Sequence, residues 1–179
     1  EIKDSLFYGC VNEDIEIISS LTRKQLIQNE FTFILNDEEK TADLLSIETD
    51  KSEIFIPRSI FHNSNEFIII SIKKNVLKKS PSVKFIKFPE NSELQIIDNN
   101  SFYKSSLEKI EIPDSVNLIQ SFAFASCNNL KSVIFSSNSK IKSIDLDAFN
   151  SSSIENVSIP SKIFDINKGF LNSVPNLTH

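Results

Sequence analysis

Few residues in this chain could support chemistry at a site. Its 179 residues hold two histidines, His62 and His179, and two cysteines, Cys10 and Cys127. They form no Ser-His-Asp, His-x-x-x-His or Cys-x-x-Cys arrangement, so the sequence encodes neither an activated nucleophile nor a zinc-type ligand set. Gly9 and Gly169 are the only glycines, and a loop that cradles phosphate needs more than isolated ones. Asp145 and Asp147 form the closest thing to a carboxylate pair. Leu146 lies between them and Ala148-Phe149 follows, so they read as caps of the next segment and not as an acid and a base. No catalytic residue, metal or cofactor is expected, and the chain is read as a non-enzyme.

Charge narrows the partners further. The net charge is −5 at pH 7 and Arg23 and Arg58 are the only arginines. Phosphate-driven binding of nucleic acid lacks its usual electrostatic source. Lys73, Lys74, Lys78 and Lys79 crowd one turn. A basic patch there would suit an acidic glycan or an anionic surface; the plainer reading is a solvated edge. The longest continuous apolar run, Phe67 to Ile70, is far short of a membrane span. The start, Glu1-Ile2-Lys3-Asp4, resembles neither a signal peptide nor a natural initiator, so the expectation is a piece of a longer protein with its targeting signal or anchor elsewhere. N-x-S/T sequons at Asn99, Asn150, Asn156 and Asn176 carry little weight in a chain so rich in Asn and Ser.

What would position any site is a repeat. The apolar residues are mainly Ile and Phe, with 15 Phe and no Met or Trp, a composition that favours pleated, half-buried structure. Strand-like units begin at Val83, Leu107, Leu130 and Ile154, with a fifth cut off at Leu177. Between them stands a second apolar pair five residues apart: Ile97 and Phe102, Ile119 and Phe124, Ile144 and Phe149, Ile166 and Leu171. The units start 24, 23, 24 and 23 residues apart, and the distance from unit start to second pair alternates between 14 and 12, so the underlying unit is a double turn of 47 residues. Residues 81–127 overlay 128–174 without a gap, with Phe88/Phe135, Phe102/Phe149, Glu108/Glu155 and Pro113/Pro160 identical. One such turn cannot bury its own apolar edge, but stacked turns share a continuous core. Within each strand, parity sends Ile110 and Ile112 inward and Lys109 and Glu111 outward. Pro113 supplies no donor and ends the ladder.

The stretch from Leu107 to Leu130, with Ile112-Pro113-Asp114-Ser115-Val116, Ile119, Ala123-Phe124 and Cys127, resembles the BspA-like class of leucine-rich repeats. Asp147-Ala148-Phe149 and Ser158-Ile159-Pro160-Ser161 repeat the signature. Ser136 replaces a proline, Val174 replaces the cysteine and Gly169-Phe170-Leu171 blurs the Ala-Phe pair; each keeps or spares the inward apolar set. The resemblance covers residues 31–179. It implies a β-rich leucine-rich-repeat solenoid, a parallel strand ladder with short turns or 3-10 segments and an N-terminal β or helical cap. In that class Cys127 faces the interior, a small buried hydrophobe and not a reactive thiol. The resemblance also implies a secreted or cell-surface protein that binds host cells or extracellular-matrix macromolecules, and it carries over no ligand residue.

The expected organisation is an N-terminal segment over 1–30, a short-strand lead-in or cap over 31–71 and repeats over 72–179. In the first, Asn12-Glu13-Asp14 before Ile15, Ile18, Leu21 and Leu26 predicts a capped helix. Two outward columns, Phe85, Lys109, Ser132, Asn156 and Lys87, Glu111, Ile134, Ser158, are the candidate partner-binding face. Phe85 and Ile134 are apolar where water is expected, although single exposed apolar residues on a sheet are ordinary. An intracellular interaction scaffold and a structural spacer remain the alternatives to adhesion.

Overall fold

A computed structural model describes residues 23–158, 165–166 and 169–176. The early strands are β1 (Arg23–Gln28), β2 (Phe31–Asn36), β3 (Thr41–Ile47), β4 (Glu53–Phe55), β5 (Ser59–His62) and β6 (Asn65–Ile72). The coils then contribute β7 (Phe85–Lys87), β8 (Ile96–Ile97), β9 (Lys109–Ile112), β10 (Leu118–Ile119), β11 (Ser132–Phe135), β12 (Ser143–Ile144), β13 (Asn156–Ser158) and β14 (Asp165–Ile166). Two parallel ladders result. Sheet A runs β6-β8-β10-β12-β14, and sheet B runs β4-β7-β9-β11-β13. The chain is a β-solenoid with no helix among the described residues.

The repeat frame maps directly onto the ladders. Ile86 pairs with Ile110, Ile110 with Val133 and Val133 with Val157, while Ile97, Ile119 and Ile144 stand in line across the core. Val83, Leu107, Leu130 and Ile154 are all fully buried. Glu108 N donates to Lys84 O, Lys131 N to Glu108 O and Glu155 N to Lys131 O, so these starting positions lie one above another. Only the first member of each second apolar pair lies in a strand: Ile97, Ile119 and Ile144 belong to sheet A, and the segments after them, which carry Phe102, Phe124 and Phe149, are hydrogen-bonded turns with no 3-10 helix among the described residues.

Those turns still satisfy their backbones through the neighbouring coil, as buried peptide groups must. Phe102 N donates to Ala123 O, Phe124 N to Ala148 O and Phe149 N to Phe170 O. The rings follow the same rise. Phe102 stacks on Phe124 at 5.1 Å, Phe124 on Phe149 at 5.2 Å, and Phe170 closes the column edge-on to Phe149 at 6.3 Å. Phe170 takes the backbone place of Ala148 yet turns its ring onto the stack, which keeps the fourth coil in the core despite its altered motif. A Cβ at the adjacent Gly169 would fall 2.3 Å from Leu146 Cδ1, so a larger residue there would require the exposed Leu146 side chain to turn aside.

The left-handed backbone that each turn requires is supplied without glycine. Asn75, Asn100, Phe122 and Asp147 take φ of 59°, 57°, 59° and 59°, and Lys104, Ser126 and Ser151 repeat the conformation four residues after the last three. Asn and Asp tolerate this region; a ring-bearing residue such as Phe122 is strained by about 1–2 kcal/mol.

Two expectations change at the front. Arg23–Gln28 is a strand, not the end of a helix: it pairs along its length with β2 across a two-residue turn in which Asn29 takes φ 55°. The period-2 placement of Leu26 in a hairpin outweighed the helical spacing from Ile15, whose earlier members lie outside the described residues. β1, β2 and β3 form an antiparallel meander that joins sheet A where β3 pairs with β6. The solenoid also starts before residue 72, since β4 already pairs in parallel with β7. Cys10, the Ile159-Pro160-Ser161 motif, Leu177 and His179 lie outside the described residues.

Candidate functional site

The two outward columns lie side by side on sheet B. Register places Phe85 beside Lys109, Lys109 beside Ser132 and Ser132 beside Asn156, and it places Glu111 beside Ile134 and Ile134 beside Ser158. Lys87 heads the second column. β4 adds a member to each, with Glu53 beside Phe85 and Phe55 beside Lys87. A lead-in over 31–71 leaves Phe55 out of the face expected from the sequence, whereas the pairing of β4 with β7 brings it in. The signal was present, since Ile54-Phe55-Ile56-Pro57 repeats the frame of Ile110-Glu111-Ile112-Pro113.

This face is mixed, and its order is specific. Phe55 is 54% exposed, and Phe85 and Ile134 are half-buried. The charges around them are already matched: Lys87 Nζ is 2.9 Å from Glu53 and Lys109 Nζ 2.7 Å from Glu111. At the margin Lys84 meets Glu108 at 2.9 Å and Lys131 meets Glu155 at 3.2 Å. Such exposed pairs add little stability, but they offset the lysine charge, so that the uncompensated charge on the face is that of Glu90 and Asp114. Phe55, Phe85, Phe88, Ile112 and Ile134 contribute to the wall of one open concavity of about 810 Å³. It can hold an apolar anchor of a macromolecule beside two lysine–glutamate pairs, with Glu90 and Asp114 as further carboxylates on its wall.

Elsewhere the chemistry-bearing residues are dispersed. His62 sits at the β5–β6 hairpin, its Nε2 3.1 Å from Asn63 Nδ2. Its pKa is lowered from 6.5, first by burial and then by Lys24, with Asp37 opposing. Cys127 is fully buried; its thiol donates to Phe102 O at 3.0 Å and lies 3.3 Å from Ser105 Oγ. Burial pushes that thiol pKa up. The Asp147 carboxylate accepts from Asn150 at 3.0 Å and Asn172 at 2.7 Å, tying neighbouring coils, while Asp145 offers its backbone carbonyl to Ala148 N. Among the described residues no group of three or more His, Cys, Asp or Glu could hold a metal ion, and no helix is long and apolar enough to cross a membrane. Of the four clustered lysines, Lys73 lies between Asp43 at 3.4 Å and Asp98 at 3.1 Å, and Lys79 pairs with Glu48 at 2.9 Å.

Comparison with known proteins agrees with this architecture. The family model described as BspA type leucine rich repeat region matches residues 51–178 in six copies, beginning at the coil that contains β4. A leucine-rich repeat protein from Bacteroides ovatus superposes with a TM-score of 0.72 at 25% identity, over 85% of this chain and 39% of that one. The leucine-rich repeat protein of T. pallidum gives 0.70 at 18% identity, over 86% and 69%. The pneumococcal vaccine antigen PcpA gives 0.55 at 18%, over 82% and 50%. This chain therefore spans well under half of the Bacteroides protein's length. No curated protein sequence matches significantly.

Proposed function

The chain belongs to the BspA-type leucine-rich-repeat family, and from that premise we propose that it is a non-catalytic adhesion module of a surface-displayed protein. It recognises a host or extracellular-matrix protein through the outer face of sheet B. The observation that carries this reading is the set Phe55, Phe85 and Ile134 in one concavity, beside lysines that are already paired with Glu53 and Glu111. Apolar anchors surrounded by polar, water-excluding contacts are the usual source of binding energy at protein interfaces. Rigid coils hold the anchors without the ordering cost that a flexible loop would carry. The repeats begin at residue 51 on this reading, with the β1–β3 meander as their N-terminal neighbour.

Phe85→Asp combined with Ile134→Asp tests it. Binding to intact host cells or immobilised matrix protein is expected to fall about thirtyfold, the scale of a lost 2 kcal/mol contact, with far-UV circular dichroism unchanged. Unchanged binding would favour a spacer. An antibody against the chain is expected to label intact cells; labelling only after permeabilisation would favour an intracellular scaffold.

A further inference from the structure

Away from sheet B, the chain crosses from sheet A to sheet B over residues 73–84 and again over 98–108, one coil later. The two crossings line an open pocket of about 380 Å³, within the range that takes small ligands. Lys78, Tyr103, Lys104, Ser105 and Ser106 line it, and no carboxylate does. This sorts the lysine cluster in a way the sequence cannot. Lys73 and Lys79 are neutralised by acids on neighbouring coils. Lys78 shares the cavity instead with Lys104, which comes from the next coil.

The rest of the wall mixes serine and asparagine with Leu77, Pro81 and the Tyr103 ring. Ser80 Oγ and Ser101 Oγ are held by the carbonyls of Ile47 at 2.8 Å and Ile72 at 2.9 Å. Tyr103 is 39% exposed, and Lys104 Nζ lies 5.1 Å from its ring centre. Ser106 is half-buried at the rim.

We propose that this cavity binds an acidic saccharide. A sugar bearing a carboxylate or sulfate presents an anion to Lys78 and Lys104, an apolar ring face to Tyr103 and hydroxyls to Ser105 and Ser106. Two lysines in one small open pocket do not make the extended track that nucleic acid needs, and an aromatic platform beside hydroxyls is of little use to a bare ion. The site is independent of the sheet B face.

The test is titration of the isotopically labelled chain with sialyllactose at millimolar concentration, followed by backbone amide shifts. Signals from residues 78–81 and 103–106 are expected to move, and lactose is expected to leave them unchanged. Lys78→Glu with Lys104→Asn, the latter suited to the left-handed backbone at that position, is expected to weaken binding about tenfold or more. Tyr103→Ser serves as a second, separately folded check with the same expectation. Phe85→Asp with Ile134→Asp is expected to leave it intact. The proposal is overturned if sialyllactose moves nothing, if lactose, inorganic sulfate or a glutamate hexapeptide binds equally well, or if folded variants keep full affinity.

Discussion

Truncating the ring at the middle of the phenylalanine column should be the most costly single change to an aromatic residue in the core. Phe124 is fully buried and stacks on two partners, Phe102 at 5.1 Å with planes 21° apart and Phe149 at 5.2 Å with planes 10° apart. A buried Phe→Ala change costs about 3–5 kcal/mol, depending on how far the site collapses. Two stacked partners, each worth about 0.5–1.5 kcal/mol beyond burial, place Phe124→Ala near the top, at about 5 kcal/mol. Its neighbours are themselves held by the coils above and below, so collapse is poor. Phe170 has a single edge-on partner at 6.3 Å, which places Phe170→Ala near about 3 kcal/mol. For a chain of this size 1 kcal/mol shifts the midpoint by about 2–4 °C, giving losses of about 10–20 °C and about 6–12 °C. Calorimetry with urea titration at constant slope would measure both. Equal losses, or a loss below about 2 kcal/mol for Phe124, would refute the claim that one continuous column couples the coils.

Two further outcomes follow from burial. Ile110→Asp places a carboxylate at a 1%-exposed site in the middle of sheet B, where an unpaired charge costs several kcal/mol; circular dichroism should show loss of the folded array, while Lys109→Asp, facing water, should not. His62 resists protonation in the folded state, so the unfolded chain binds its proton first. Stability should therefore decline as pH falls through about 6.5 toward the depressed folded value, and His62→Asn should flatten that part of the urea-midpoint curve. An unchanged slope in the variant would assign the pH dependence to other groups.

The 23- and 24-residue spacing by itself determined the solenoid, because only coils stacked on a shared interior give Val83, Leu107, Leu130 and Ile154 the same buried place. The same spacing, with strand parity, put Phe85, Lys109, Ser132 and Asn156 in one exposed column. Periodicity records which side chains avoid water, and it does so from local order alone. Tertiary structure decided what depends on register between distant segments. It turned Arg23–Gln28 into a strand by offering β2 as a partner, and it added Phe55 to the face by seating β4 under β7. It also chose which lysines are neutralised: Lys73 and Lys79 meet acids from other coils, whereas Lys78 and Lys104 line a common cavity although they are far apart in sequence. Repeat spacing brings whole coils into neighbouring places, as the 24-residue separation of Lys84 from Glu108 and of Lys131 from Glu155 shows, but which side chains then meet, and what space is left between coils, depends on side-chain direction and on turns that depart from the period.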